Sequence, residues 1–104
     1  MTDTLVEEVD LEEYAKAGKP VPPARRYKLR IDKELKVTTN PTPTGREILG
    51  LVGKTPEGFA LSMKLHGGHA KPIDADEHVD LRQPGVERFM TIPRDATEGT
   101  PGAA

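Results

Sequence analysis

Residues 26–39 read Arg26-Tyr27-Lys28-Leu29-Arg30-Ile31-Asp32-Lys33-Glu34-Leu35-Lys36-Val37-Thr38-Thr39. Tyr27, Leu29 and Ile31 alternate with Lys28 and Arg30, and Leu35 and Val37 alternate with Glu34 and Lys36. A period of two places the apolar side chains of each run on one face, so the spacing predicts two half-buried antiparallel strands. Asp32-Lys33 falls where a tight turn is needed, and Val37, Thr38 and Thr39 are β-branched and favour the extended state.

Working outward from this hairpin, Asn40-Pro41-Thr42-Pro43 is a loop, because each proline lacks a donor N–H and holds its predecessor extended. Thr44-Gly45-Arg46-Glu47 then matches a capping box. A helix of about ten residues is expected from there, with Ile48, Leu49, Leu51 and Val52 as its apolar face, Gly53 as its left-handed stop and Pro56 preventing continuation. Phe59, Leu61, Met63 and Leu65 alternate again as a third strand ending at His66-Gly67-Gly68-His69, a turn that uses glycine's access to positive φ. Residues 70–73 form a short fourth strand, and residues 74–81 a loop that tucks Val79 and Leu81 inward. Gln83-Pro84-Gly85-Val86 suits a type II turn, after which residues 86–92 form a fifth strand stopped by Pro93. The expected core is Leu29, Ile31, Leu35, Val37, Ile48, Leu51, Val52, Leu61, Met63, Leu65, Leu81 and Phe89.

Composition assigns the rest. The chain has 104 residues, 35% hydrophobic and 4% aromatic, with ten glycines and ten prolines. Residues 25–93 hold 17 of its Leu, Ile, Val and Phe residues, residues 1–24 hold five and residues 94–104 none, so a single domain over 25–93 is expected. Residues 1–24 carry six acids and two bases, residues 25–93 nine acids and twelve bases, and residues 94–104 two acids and one base, which together give the net charge of −2. The first segment, with three prolines before the hairpin, reads as a flexible acidic arm, because Leu5, Val9 and Leu11 make too thin a stripe for an isolated helix. Residues 94–104 read as a flexible tail. No cysteine is present, which excludes disulfides and thiol chemistry. No run approaches the ~18–20 apolar residues of a membrane span, and the core is too weakly basic for nucleic acid, so a soluble cytoplasmic protein is expected.

Hairpin, helix, hairpin and strand in that order imply an α+β fold. The final strand inserts parallel to the first strand of the hairpin, giving a mixed sheet of four to five strands on one short helix, the β-grasp topology. Tyr27-Lys28-Leu29-Arg30-Ile31-Asp32, Thr44-Gly45-Arg46-Glu47-Ile48-Leu49 and above all Val79-Asp80-Leu81-Arg82-Gln83-Pro84-Gly85-Val86-Glu87-Arg88-Phe89 resemble the bacterial multiubiquitin-type family of ubiquitin-like modifiers. The resemblance implies a protein modifier joined to target proteins by an isopeptide or similar bond. It also implies the partners of a bacterial ubiquitination-like pathway: an activating enzyme that spends ATP, a conjugating enzyme and a JAB-type metalloprotease.

The residues themselves offer little catalysis. His66, His69 and His78 with Asp74, Asp76 and Asp80 lack the spacing that would converge them on a metal, so no metal site, no cofactor and no enzymatic activity are expected. The tail Ala96-Thr97-Glu98-Gly99-Thr100-Pro101-Gly102-Ala103-Ala104 has the small side chains that a narrow enzyme channel admits. Trimming between Gly102 and Ala103 is the expected processing step, with Gly99 as the alternative end. Leu5, Val6 and Val9 among acids are either a solubilising stretch or an interaction strand that pairs with another protomer and builds open filaments. A non-covalent β-grasp interaction or self-assembly module is the rival to the modifier.

Overall fold

A computed structural model describes residues 5–94 of the chain. The elements are β1 (Val6–Asp10), α1 (Leu11–Ala17), β2 (Ala24–Ile31), β3 (Glu34–Thr38), α2 (Gly45–Leu51), β4 (Phe59–Leu65), β5 (Ala70–Ile73) and β6 (Val86–Pro93). β2 and β3 form the expected antiparallel hairpin, Ile31 opposite Glu34 and Tyr27 opposite Thr38. β6 meets β2 in parallel at Ile31 and Phe89, and runs antiparallel to β4 with Phe89 opposite Met63. β5 completes the other side through Leu61 opposite Ile73. Strand order β3-β2-β6-β4-β5 is therefore a mixed sheet of the ubiquitin-like α+β type.

Directly opposed residues share a face, so Tyr27, Leu29, Ile31, Phe89, Met63 and Leu61 line one side of the sheet. All six are buried there together with Ile48 and Leu49 of α2. The predicted capping box is present: the Thr44 hydroxyl accepts the Glu47 N–H at 3.1 Å, and the Glu47 carboxylate accepts the Thr44 N–H at 2.8 Å. Gly45 and Arg46 donate their N–H groups to the carbonyls of Glu77 and Ala75, which pins the loop after β5 against the start of α2. A Cβ on Gly45 would collide with the Asp74 carbonyl, so only glycine allows this approach. The same loop runs on alongside residues 41–43, Val79 donating to the Pro43 carbonyl and Leu81 to that of Pro41, and both side chains are buried.

Residues 1–24 were expected to form a flexible arm. Instead, residues 6–17 supply a sixth strand and a second helix, and the ordered domain begins well before residue 25. β1 pairs in parallel with β2, Val9 opposite Tyr27 and Asp10 opposite Lys28. At Tyr27 and Lys28, β2 is flanked by both β1 and β3, while at Ile31 it is flanked by β3 and β6. β1 and β6 thus occupy successive lengths of the same β2 edge. α1 follows directly and packs on β2 and β6.

Two features hold this segment. Val9, Leu11 and Ala15 are buried, Val9 with no exposed surface at all, and Val6 and Tyr14 pack against the same cluster. The acids of the first segment also face the bases of β2 in sequence. Glu7 and Glu8 lie 3.1 and 3.3 Å from Arg26, Glu8 and Asp10 each 3.9 Å from Lys28, and Glu12 2.9 Å from Arg30. The opposed net charges of residues 1–24 and 25–93 are neutralised largely within the molecule. Three apolar residues suffice here because β1, paired with β2, brings α1 onto β2 and β6, a surface for burial that an isolated helix lacks.

The expected core also needs correction. Leu35 and Val37 are 49% and 43% exposed, since they stand opposite Arg30 and Lys28 on the sheet face away from α2. Alternation defines two faces but does not say which one is covered. Leu51, Val52 and Leu65 are half-buried at the margin of the cluster, because α2 turns Gly45, Ile48 and Leu49 inward.

Candidate functional site

Around the C-terminal end of β6, the β2–β3 turn, the loop after α2 and β6 itself come together. Asp32 opens the turn with φ +56°, a left-handed conformation that costs a non-glycine residue energy, and the positive φ falls on the first turn residue only, as in a type II′ turn. Its carboxylate repays this by joining three elements. Oδ1 accepts the Thr91 N–H at 2.8 Å, and Oδ2 accepts the Thr91 hydroxyl at 2.6 Å and the Lys54 ammonium at 3.1 Å. Lys54 also donates to the Thr91 oxygen at 2.8 Å and lies 4.7 Å from the centre of the Phe59 ring. Partial burial pushes the Asp32 carboxyl up, but hydrogen bonds from the Thr91 hydroxyl and amide and from Lys54 outweigh it and hold the group below its ordinary range.

Beyond Thr91 the strand continues to Pro93, opposite Phe59. Arg94 is then fastened twice to the turn before β4: its N–H donates to the Gly58 carbonyl at 2.8 Å and its Nε to the Pro56 carbonyl at 2.6 Å. Arg94 is thereby a fixed point on the surface. Gly99 is five residues past that point and Gly102 eight, a reach of at most ~18 and ~29 Å for extended chain. Ile92, 58% exposed, lies two residues before it. Gly99, Gly102 and Ala103 themselves lie outside the described residues.

Of the three residues expected in either a solubilising stretch or an interaction strand, Val6 and Val9 lie in β1 of their own sheet and Leu5 immediately precedes it. Leu5 is exposed, the Val6 N–H donates to the Pro23 carbonyl at 3.0 Å, and Val9 is wholly inside the core. Strand addition does occur, but within the chain. The signal that sequence reading passed over was Asp10, whose side chain accepts the Glu12 and Glu13 N–H groups as an N-cap, followed by Gly18 in the left-handed conformation at the other end.

The histidines stand apart. His66 Nδ1 is 3.1 Å from Glu87 Oε2, and His78 Nδ1 is 3.0 Å from the Thr42 carbonyl. Among the described residues no three metal-ligating side chains converge and no cavity occurs. No helix among them is long and apolar enough to cross a membrane. The N–H groups at the start of α2 are spent on protein carbonyls and on Thr44, which leaves none there for an anion.

A mixed sheet in β-grasp order with α2 in the connection from β3 to β4, extended here by β1 and α1, defines a ubiquitin-like protein. The family model for multiubiquitin matches residues 27–94, about two thirds of the chain, and the protein belongs to that family. No curated protein and no solved structure matches it.

Proposed function

We propose that the protein is a ubiquitin-like modifier: it supplies a C-terminal carboxylate that partner enzymes activate and join to target proteins, and it contributes no catalytic group of its own. The observation that carries this reading is the exit point. β6 is locked by Asp32, Lys54 and β4, Arg94 is held by Pro56 and Gly58, and immediately beyond it the sequence changes to small and turn-forming residues. A rigid body with a thin lead of ~29 Å to Gly102 suits an enzyme that grips the body while its active site receives the glycine. Family membership supports the same reading.

In the proposed sequence, a metalloprotease of the JAB type hydrolyses the bond after Gly102 and frees its carboxylate. The activating enzyme lets that carboxylate attack the α-phosphorus of ATP, forming an acyl-adenylate and releasing pyrophosphate. An enzyme nucleophile displaces AMP, and a target amine or hydroxyl, handed over with the conjugating enzyme, displaces the nucleophile. Glycine at the acyl position leaves no Cβ to hinder these attacks. Because the activating step consumes ATP, the proposed place of action is the cytoplasm.

Intact mass spectrometry after incubation with the protease, the activating enzyme and ATP tests the proposal. The expected result is a chain ending at Gly102 that then forms adducts, and Gly102→Glu blocks both steps without moving the melting temperature. A junction at Gly99 relocates the reactive end. An unchanged mass in the presence of active enzymes contradicts the modifier and favours a non-covalent module.

A further inference from the structure

Three strand edges in the described structure carry no partner, and they differ in chemistry. β5 ends one side of the sheet with Pro72, which has no N–H to offer. The outer side of β1 belongs to a strand bearing Glu7, Glu8 and Asp10, so a second β1 laid against it meets like charge. β3 has neither defence: it pairs only with β2, contains no proline, and presents exposed Leu35 and Val37.

The hairpin register says which β3 groups are free. With a two-residue turn, Ile31 and Glu34 form the first hydrogen-bonded pair, so Glu34, Lys36 and Thr38 direct their backbone groups to β2. Leu35 and Val37 point their N–H and C=O groups outward.

From this edge we infer that β3 pairs antiparallel with β3 of a second copy of the chain, about a two-fold axis through Leu35. In that register the two Leu35 residues exchange backbone hydrogen bonds and touch side chains, and Val37 of each copy lies opposite Lys33 of the other. On the reverse face Glu34 of each copy stands opposite Lys36 of the other, giving two ion pairs related by the axis. Within one chain the two groups already lie 3.4 Å apart, so the dimer places two such pairs side by side in a two-by-two array of alternating sign. Centring the axis on Lys36 would oppose two ammonium groups, and centring it on Val37 would leave Glu34 opposite Asn40. The interface is isologous and closed, so it yields dimers and not filaments. β2 lies between β3 and β6, so the outer edge of β3 faces away from β6, and the pairing does not require conjugation.

Sedimentation velocity on the full chain at increasing concentration tests the pairing. The wild type shifts from monomer to dimer. Glu34→Lys or Lys36→Glu alone opposes like charges across the axis and abolishes the shift, and the combined exchange restores it. A wild type that stays monomeric, or an exchange variant that melts like the wild type yet stays monomeric, overturns the proposal. The chain has no cysteine, so a second readout is available at these exposed positions. Leu35→Cys faces itself across the axis at ~5.5 Å between Cα atoms and oxidises to a disulfide dimer, whereas Val37→Cys does not. Equal or reversed cross-linking also overturns it.

Discussion

The two helices are each seven residues long, and they reach the same core by different routes. Both lie in connections between strands, but α2, between β3 and β4, is fixed at its start by a capping box and by carbonyls of the loop after β5. α1 stands near the chain's beginning and is held by what precedes it: a strand that pairs with β2, a row of ion pairs and the buried residues Val9, Leu11 and Ala15. Neither helix is stable alone at this length. What makes a short helix permanent is the partner supplied next to it. Such a partner can come from an adjoining strand as readily as from the helix's own apolar face.

If that comparison holds, Leu11→Ala and Ile48→Ala should cost similar amounts, ~2–5 kcal/mol each, because both side chains are fully buried. Urea denaturation measures the difference directly. A Leu11→Ala protein that unfolds at the wild-type midpoint would reduce α1 to an appendage. Leu51→Ala, at the half-buried margin of α2, should cost less than either.

Glycine replacements sharpen the contrast within α2. Gly45→Ala drives a Cβ into the Asp74 carbonyl and should destabilise by ~1–3 kcal/mol. Gly50 is exposed, has open space where a Cβ would go and lies in the last turn of α2 without a positive φ, so Gly50→Ala should stabilise by ~0.5–1 kcal/mol. Thermal melts of the two variants should move in opposite directions.

The caps come next in size. Asp10→Ala and Thr44→Ala each remove an acceptor for first-turn N–H groups and should cost ~1 kcal/mol. An Asp10→Ala protein indistinguishable from wild type in chemical denaturation would mean that α1 depends on burial alone.

The difference between the helices also explains what sequence could reveal. Thr44 and Glu47 are three residues apart beside a clean apolar run, and that local signal survives in any context. The hairpin, the turn at Gly67-Gly68 and the inward Val79 and Leu81 were legible for the same reason, since each depends on neighbours in the chain. α1 was not, because Leu11 and Ala15 become a sufficient face only once β1 is docked on β2. That pairing joins residues roughly eighteen apart, with no periodicity of its own. The opposed charges of the two segments are visible in the sequence, but no local pattern ties the acids of residues 7–12 to Arg26, Lys28 and Arg30 of the same chain. Leu35 and Val37 show the converse error, a correct period assigned to the wrong face. For the site, the glycines of the tail were visible in the sequence, but the exit at Arg94 depends on Pro56 and Gly58, which no local pattern ties to residue 94.

The smallest expected effect concerns acid. The Glu12 carboxyl is held below its ordinary value of 4.5, chiefly by the hydrogen bond from Arg30, and partial burial opposes this only in part. A carboxyl lowered in the folded state adds stability above its unfolded value, and that stability is lost as pH falls through the lower folded value. Asp32 follows the same rule from an ordinary value of 3.8. Stability should therefore decline below about pH 4.5, and Arg30→Gln should flatten the part due to Glu12. For a partly exposed pair this amounts to ~0–1 kcal/mol. A denaturation series from neutral to acid pH with and without Arg30→Gln checks it, and identical slopes would remove Glu12 from the docking of α1.

Amide hydrogen exchange under native conditions tests the integral place of β1 and α1 most directly. The Val6 amide is bonded to the Pro23 carbonyl and the Lys19 amide to that of Tyr14, one at each end of the segment. These amides, and those of β1 and α1 between them that are hydrogen-bonded, should exchange far more slowly than free chain. The slowest should approach the rates of Leu29 and Ile48 in the core. Exchange at free-chain rates from Val6 to Lys19, with β2 and α2 still protected, would contradict the account and return residues 6–17 to a loose arm.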